Sequence, residues 1–221
     1  MEQKVRHIET IAEYQAMLGV ETLHPLVGVI DFSEVQPIYH LRQTFGFYAV
    51  FLKEVRCGDM IYGRHYYDYQ EGTLVCLAPG QVIGFEDTGE KFQPKGWALV
   101  FHPNLIRGTS LGRNMKEYGF FSYEVNEALH LSERERGLVV DCLQRIRDEL
   151  DRAIDRHSRR LVAIQIEMLL DYCLRFYERQ FITRATVNHD ILTRFERLLD
   201  DYFADGRARR EGLPTVRYCA G

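Results

Sequence analysis

Residues 69–81 read Tyr69-Gln70-Glu71-Gly72-Thr73-Leu74-Val75-Cys76-Leu77-Ala78-Pro79-Gly80-Gln81. A polar turn ending in glycine leads into five residues suited to a half-buried strand, and Pro-Gly closes the run. The same texture extends in both directions. Candidate strands are Val27–Phe32, Phe45–Val55, Met60–Tyr62, His65–Tyr69, Thr73–Leu77, Val82–Phe85 and Trp97–Phe101, parted by turns such as Cys57-Gly58-Asp59, Asp87-Thr88-Gly89 and Pro94-Lys95-Gly96. Seven short strands at this spacing predict an antiparallel sandwich or small barrel. They do not alternate with helices, and no glycine-rich phosphate-binding signature is present, which argues against a parallel nucleotide-binding sheet.

Helical texture flanks this region. Ile8, Ile11, Tyr14 or Gln15, and Leu18 recur at helical spacing before Gly19, a C-terminal stop. After residue 103 the pattern turns helical again. Ser132 with Glu135 forms a capping box, and the helix it opens places Val139, Leu143, Ile146, Leu150 and Ile154 on one stripe. The next helix, about Arg159 to Arg179, is apolar nearly all round and therefore needs cover on every side. One face can pack on the preceding helix and the β region, and an identical helix from a second chain is the economical cover for the rest. Ile166, Leu169, Leu170, Cys173 and Phe176 are the candidate dimerisation residues. The alternative is a central helix of a monomeric core. Residues 182–190 have weak periodicity and read as a linker. Ile191, Phe195, Leu198, Leu199 and Tyr202 then mark another amphipathic helix, followed by a polar turn with Arg207, Arg209 and Arg210. Leu213-Pro214-Thr215-Val216 reads as a fresh helix start, and the expectation is that the sequence is cut shortly after it.

With 221 residues, 46% hydrophobic and 27% charged, the chain has the balance of a folded globular protein. No apolar run is long enough for a membrane span and no signal peptide opens the chain, so the expected setting is cytoplasmic. Cys57, Cys76, Cys142, Cys173 and Cys219 are widely spaced and odd in number, which predicts reduced thiols without a disulfide framework or zinc site. The net charge of −4 is uneven: residues 1–130 carry 11 basic and 16 acidic side chains, residues 131–181 ten of each, and residues 182–221 seven and six. The first part is thus a poor match for nucleic acid or an anionic membrane.

Catalytic signatures are missing. The eight histidines include no pair one residue apart on a strand, the arrangement that would aim two imidazoles at one metal. No serine-hydrolase elbow, zinc-protease helix or acidic metal loop occurs. The expectation is a non-enzyme without a cofactor. The strand aromatics are more telling, because alternation sends about half of them inward. Tyr48, His65, Tyr67 and Trp97 are the candidate ligand-binding residues of the interior, set against the alternative of a side-chain-filled barrel.

The run from Tyr69 to Gln81 resembles the strand–turn–strand of a cupin-like barrel. In order along the chain, the tract His102-Pro103 through Tyr118-Gly119-Phe120-Phe121 to Leu131-Ser132 is similar to the connection from barrel to helices in AraC/XylS-type transcription regulators. Ile191 to Gly221, above all Leu213-Pro214-Thr215-Val216-Arg217-Tyr218-Cys219-Ala220, resembles the opening of their helix-turn-helix domain. The resemblance covers the whole chain through loose motifs. It implies an α+β protein: a cupin-like antiparallel β-barrel or double-stranded roll over residues 1–130, a helical dimerisation region over 131–181, a linker over 182–190, and the truncated start of a helix-turn-helix domain over 191–221. It further implies a bacterial, cytoplasmic regulator that senses an unknown small molecule and forms a homodimer through the helix at 159–179. DNA would be bound only by the full-length parent, because both recognition helices are missing. Arg207, Arg209 and Arg210 would touch phosphates there, or simply form a solvated turn. A cupin-type metal-dependent small-molecule enzyme is the alternative from another class. A cyclic-nucleotide-type regulator is the alternative from the same class, disfavoured because two helices, not one long one, are expected after the barrel.

Overall fold

The structure is a computed structural model that describes residues 5–39, 41–54, 60–62, 65–67, 72–85, 90–122, 128–152 and 155–204; for residues 60–62, 65–67, 85, 182–197, 199–201, 203 and 204 only the backbone is described. The chain divides into two compact units, Met1–Phe176 and Tyr177–Gly221.

The fold is mixed α+β, with sheets built of antiparallel strands apart from one parallel pair. Strand β1 (Arg6–Ile8) precedes helix α1 (Ile11–Leu18). Thr10 caps that helix by accepting from the Glu13 N–H, and Gly19 closes it at φ 73°. The helix therefore starts later than its periodicity suggests, and Ile8 is buried from a strand instead. Then come β2 (Val27–Asp31), β3 (Ile38–Tyr39), β4 (Gln43–Phe45), β5 (Tyr48–Lys53), β6 (Met60–Tyr62), β7 (His65–Tyr67), β8 (Thr73–Leu77), β9 (Val82–Phe85), β10 (Lys91–Phe92), β11 (Gly96–Phe101) and β12 (Leu129–His130).

These strands do not close into a barrel. They form one sheet in the order β1-β4-β9-β6-β7, a second in the order β12-β8-β5-β11-β2, and the ribbon β10-β3. The expectation of a single strand from Phe45 to Val55 fails at Gly46. There the chain leaves the first sheet, after the Gly46 N–H donates to the Ile8 carbonyl, and enters the second at Tyr48. A Cβ on Gly46 would lie 2.8 Å from the Glu9 carbonyl oxygen, so the crossing needs glycine. Pro79-Gly80 makes the return crossing from β8 to β9, with the Gly80 N–H on the Phe45 carbonyl.

Between the sheets lies one core. It gathers Ile8, Phe45 and Ile83 from the first sheet, Ile30, Phe51, Val75, Leu77 and Val100 from the second, and Tyr14 from α1. Alternation sends the other set of the second sheet, including Leu52, Leu74, Cys76, Leu99 and Phe101, to its opposite face. Helix α4 (Glu133–Leu150) packs on β2 and β11. Its capping box is present as expected, and Val139, Leu143, Ile146 and Leu150 are buried. Ile154 lies outside the described residues.

Between β11 and α4 lie the short helices α2 (Pro103–Ile106) and α3 (Ser110–Asn114). Helix α5 (Ser158–Ala204) follows α4. In the first unit α5 is tied down by polar contacts: Ser110 and Asn114 donate to the Glu167 carboxylate, the Tyr118 hydroxyl donates to Asp171 at 2.7 Å, and Arg159 donates to the carbonyls of Asn104, Leu105 and Arg107. The expected linker at 182–190 has helical backbone. That stretch contains no Gly or Pro, so weak amphipathic periodicity alone did not end the helix. Of the expected helix-turn-helix start at 191–221, residues 191–204 belong to α5. Arg207, Arg209 and Arg210 lie outside the described residues.

Cys76, Cys142 and Cys173 are free thiols, buried on β8, α4 and α5. Burial pushes all three thiols up from their ordinary range. They should therefore resist iodoacetamide at pH 8 in the native protein and react fully in denaturant. Mass mapping checks this, and labelling of any of the three at the rate of a free thiol would contradict the packing.

Candidate functional site

A cavity of about 560 Å³ lies in the β-rich unit. Its size is that of a small-molecule site. Its apolar wall comes from Phe32, Ile38, Phe51, Ile83 and Phe92, with Tyr14 and Met17 of α1 beside them. Phe32 and Phe51 stack at 6.4 Å between centroids, and Tyr14 meets Phe45 edge-on at 5.1 Å. Burial raises the Tyr14 phenol far above its usual range, so it presents a neutral hydroxyl.

The polar side of the cavity is cationic. Lys53, Lys91 and Lys95 all line it, and no Asp or Glu is among the described residues that do. Lys53 follows Phe51 by two residues, so the pleat turns both to the same face, and its side chain is buried. Glu54 falls on the other face, where its carboxylate is engaged by Arg136 of α4. Lys91 sits on the rim over the Tyr39 ring at 5.3 Å. Gln43 adds an amide whose buried Oε1 has no hydrogen-bond partner among the described residues.

The residues expected to bind ligand fare differently. Tyr48 has the opposite parity to Phe51 and points away from the cavity, stacking on Phe101 at 5.0 Å and meeting Phe121 edge-on at 5.1 Å. Trp97 pairs with Leu52 and shares the face of Leu99 and Phe101, so it too lies on the wrong side of the sheet. His65 and Tyr67 lie on β7, but their side chains are outside the described residues. The lysines and Gln43 were missed. For Lys53 a signal existed, the two-residue step from an inward Phe. For Lys91 and Lys95 the sequence holds none, because their position depends on the β3–β10 ribbon.

The expected dimerisation residues are core residues of a single protomer. Ile166, Leu169, Leu170 and Cys173 are 0% exposed and Phe176 5%. A second chain would find nothing of them left to cover. Leu161, Ile164 and Met168 stay exposed on the same helix, at 45%, 46% and 37%. Beside them runs a second groove of about 480 Å³, lined by Arg107, Arg113, Arg156, Arg159 and Arg160.

Among the described residues no three His, Cys, Asp or Glu side chains come together as a metal site, and no helix is long and apolar enough to cross a membrane. Compared with known proteins, the chain matches no family model, and no curated protein is significantly similar to it in sequence.

Proposed function

We propose that this chain is the effector-sensing and dimerising part of an AraC-type bacterial transcription regulator, working in the cytoplasm, with a cupin-like roll as its sensor. The observation that carries the reading is the apolar, aromatic-walled cavity of about 560 Å³ in the β-rich unit, set ahead of the capped helix α4 and the long helix α5. The order of parts supports it: two facing sheets, then α4 packed on β2 and β11, then α5. DNA reading belongs, in this proposal, to helix-turn-helix units of the parent protein. The ligand acts by binding one state of the sensor better than another, and shifts the equilibrium by that difference alone.

The dimer in this reading uses the outer face of α5. Leu161, Ile164 and Met168 recur at steps of three and four residues, the spacing of a two-helix seam, and a second copy offers the same stripe in return. Ile164→Asp and Met168→Asp should leave the fold intact, because both side chains are already partly in water, yet should convert a micromolar dimer to monomer. Sedimentation velocity checks this. A wild-type monomer, or a dimer indifferent to both substitutions, would remove this interface.

A further inference from the structure

We propose that the arginine-lined groove beside α5 binds a compact polyphosphate, free or as the tail of a nucleotide. This groove is a place apart from the cavity between the sheets, and its ligand does not depend on the sensor reading. It is concave, about 480 Å³ in volume, and five guanidinium groups line it. Arg107 comes from the end of α2, Arg113 from α3, Arg156 from just before α5, and Arg159 and Arg160 from its first turn. No Asp or Glu is among the described residues that line the groove. Like charges gathered into one concavity repel one another, and a polyvalent anion relieves that repulsion.

The five arginines are not equivalent. The Arg159 guanidinium donates to the carbonyls of Asn104, Leu105 and Arg107 at 2.8–2.9 Å, so it is held in place as one wall. Arg156 donates through Nε to the His157 ring. Arg107, Arg113 and Arg160 are exposed, and their guanidinium groups have neither an ion pair nor a hydrogen bond among the described residues. The acidic side chains nearby are already engaged. Asp155 accepts from the N–H groups of His157 and Ser158, and Glu167 accepts from Ser110 and Asn114. A guanidinium presents two parallel N–H groups to a phosphate, a contact about twice as strong as a neutral hydrogen bond. Three unpaired forks around one concavity therefore suit an anion with several phosphates better than a single carboxylate. Ile164, half exposed, adds an apolar strip on which a flat base can rest; it also belongs to the α5 stripe, so groove and seam adjoin. A long nucleic acid fits less well, because its phosphates would run beyond the groove onto a chain of net charge −4. A compact anion, within the roughly 8 Å reach of charge at physiological salt, meets mainly the arginines.

The test uses the whole chain at physiological salt, with EDTA present to keep metal ions off the probes. Calorimetric titration compares inorganic triphosphate, ATP, orthophosphate, adenosine and hexaglutamate. Triphosphate and ATP should bind at least about tenfold more tightly than orthophosphate, as expected when further charge-assisted contacts are added, and adenosine should not bind. ATP tighter than triphosphate would assign the nucleotide as the source, and equal affinity would assign free polyphosphate. Arg113→Gln with Arg160→Gln, both at exposed and unpaired positions, should weaken triphosphate by at least about tenfold without altering the melting temperature. Arg107→Gln, at the third such position, should act in the same direction and decides the matter if the pair does not fold. Arg134→Gln with Arg145→Gln, exposed on α4 and absent from the groove lining, should change nothing. Failure of triphosphate to bind, groove variants that bind it like the wild type, or an equal loss in the α4 pair would overturn the site. Hexaglutamate bound as tightly as triphosphate would overturn the phosphate class. A short DNA duplex that binds through Arg113 and Arg160 more tightly than triphosphate would overturn the small ligand.

Discussion

Leu169→Asp is expected to abolish the cooperative thermal transition of the chain, not to release folded monomers. Leu169 is 0% exposed on α5, with Ile166, Leu170 and Cys173 equally buried around the same helix. A carboxylate placed there loses its water and finds no described cationic partner, a cost of about 3–5 kcal/mol for an uncompensated buried charge. That is a large share of the roughly 5–15 kcal/mol by which folded domains are stable. Phe176→Asp should act in the same direction. Ile164→Asp, one turn from the same core but half exposed, should change stability by no more than about 0.5 kcal/mol. Circular dichroism melts of the three variants separate core from surface. A Leu169→Asp protein that melts like the wild type would mean that this face of α5 is open in the protomer.

Gly96→Ala is the second substitution with a large expected effect. Gly96 opens β11 at φ 110°, a backbone conformation that L side chains rarely adopt. An added Cβ would stand 2.1 Å from the Leu52 carbonyl oxygen and 3.1 Å from the Lys53 Cα. Those are backbone atoms of the neighbouring strand, so no rotamer relieves the clash and β5 must move away from β11. Backbone strain of this type alone costs about 1–3 kcal/mol, and the displaced ladder adds to it. We expect a loss of at least about 3 kcal/mol in urea unfolding. A change below about 1 kcal/mol would contradict the β5–β11 register.

What was legible in the sequence follows physical lines. Thr73–Leu77 was read to the residue because Gly72 and Pro79-Gly80 bound a run with no competing period. The Ser132–Glu135 capping box was equally plain, since it is local chemistry. The closed barrel was not, because closure depends on which strands meet at the sheet edges, and Gly46 diverts the chain between sheets within what looks like one strand. The strands Ile38–Tyr39 and Lys91–Phe92 are too short to show a period. The aromatic residues of β5 announced a lined interior, but choosing among them needed the phase of alternation. Counting from Phe51 puts Lys53 inside and Tyr48 outside, the reverse of a reading by residue type. For α5, an all-round apolar helix announces that it must be covered, and it is silent about whether its own chain or another does the covering. Here its own chain buries Ile166, Leu169, Leu170 and Cys173, while among the described residues Leu161, Ile164, Met168 and Phe181 stay exposed.

The account stands on a sensor unit that pairs with its twin. The most direct measurement fuses the 221-residue chain to a DNA-binding domain that represses a reporter only when dimerised. The account predicts repression by the wild-type fusion and its loss with Ile164→Asp, at equal protein levels. A wild-type fusion that leaves the reporter as active as the DNA-binding domain alone would contradict it.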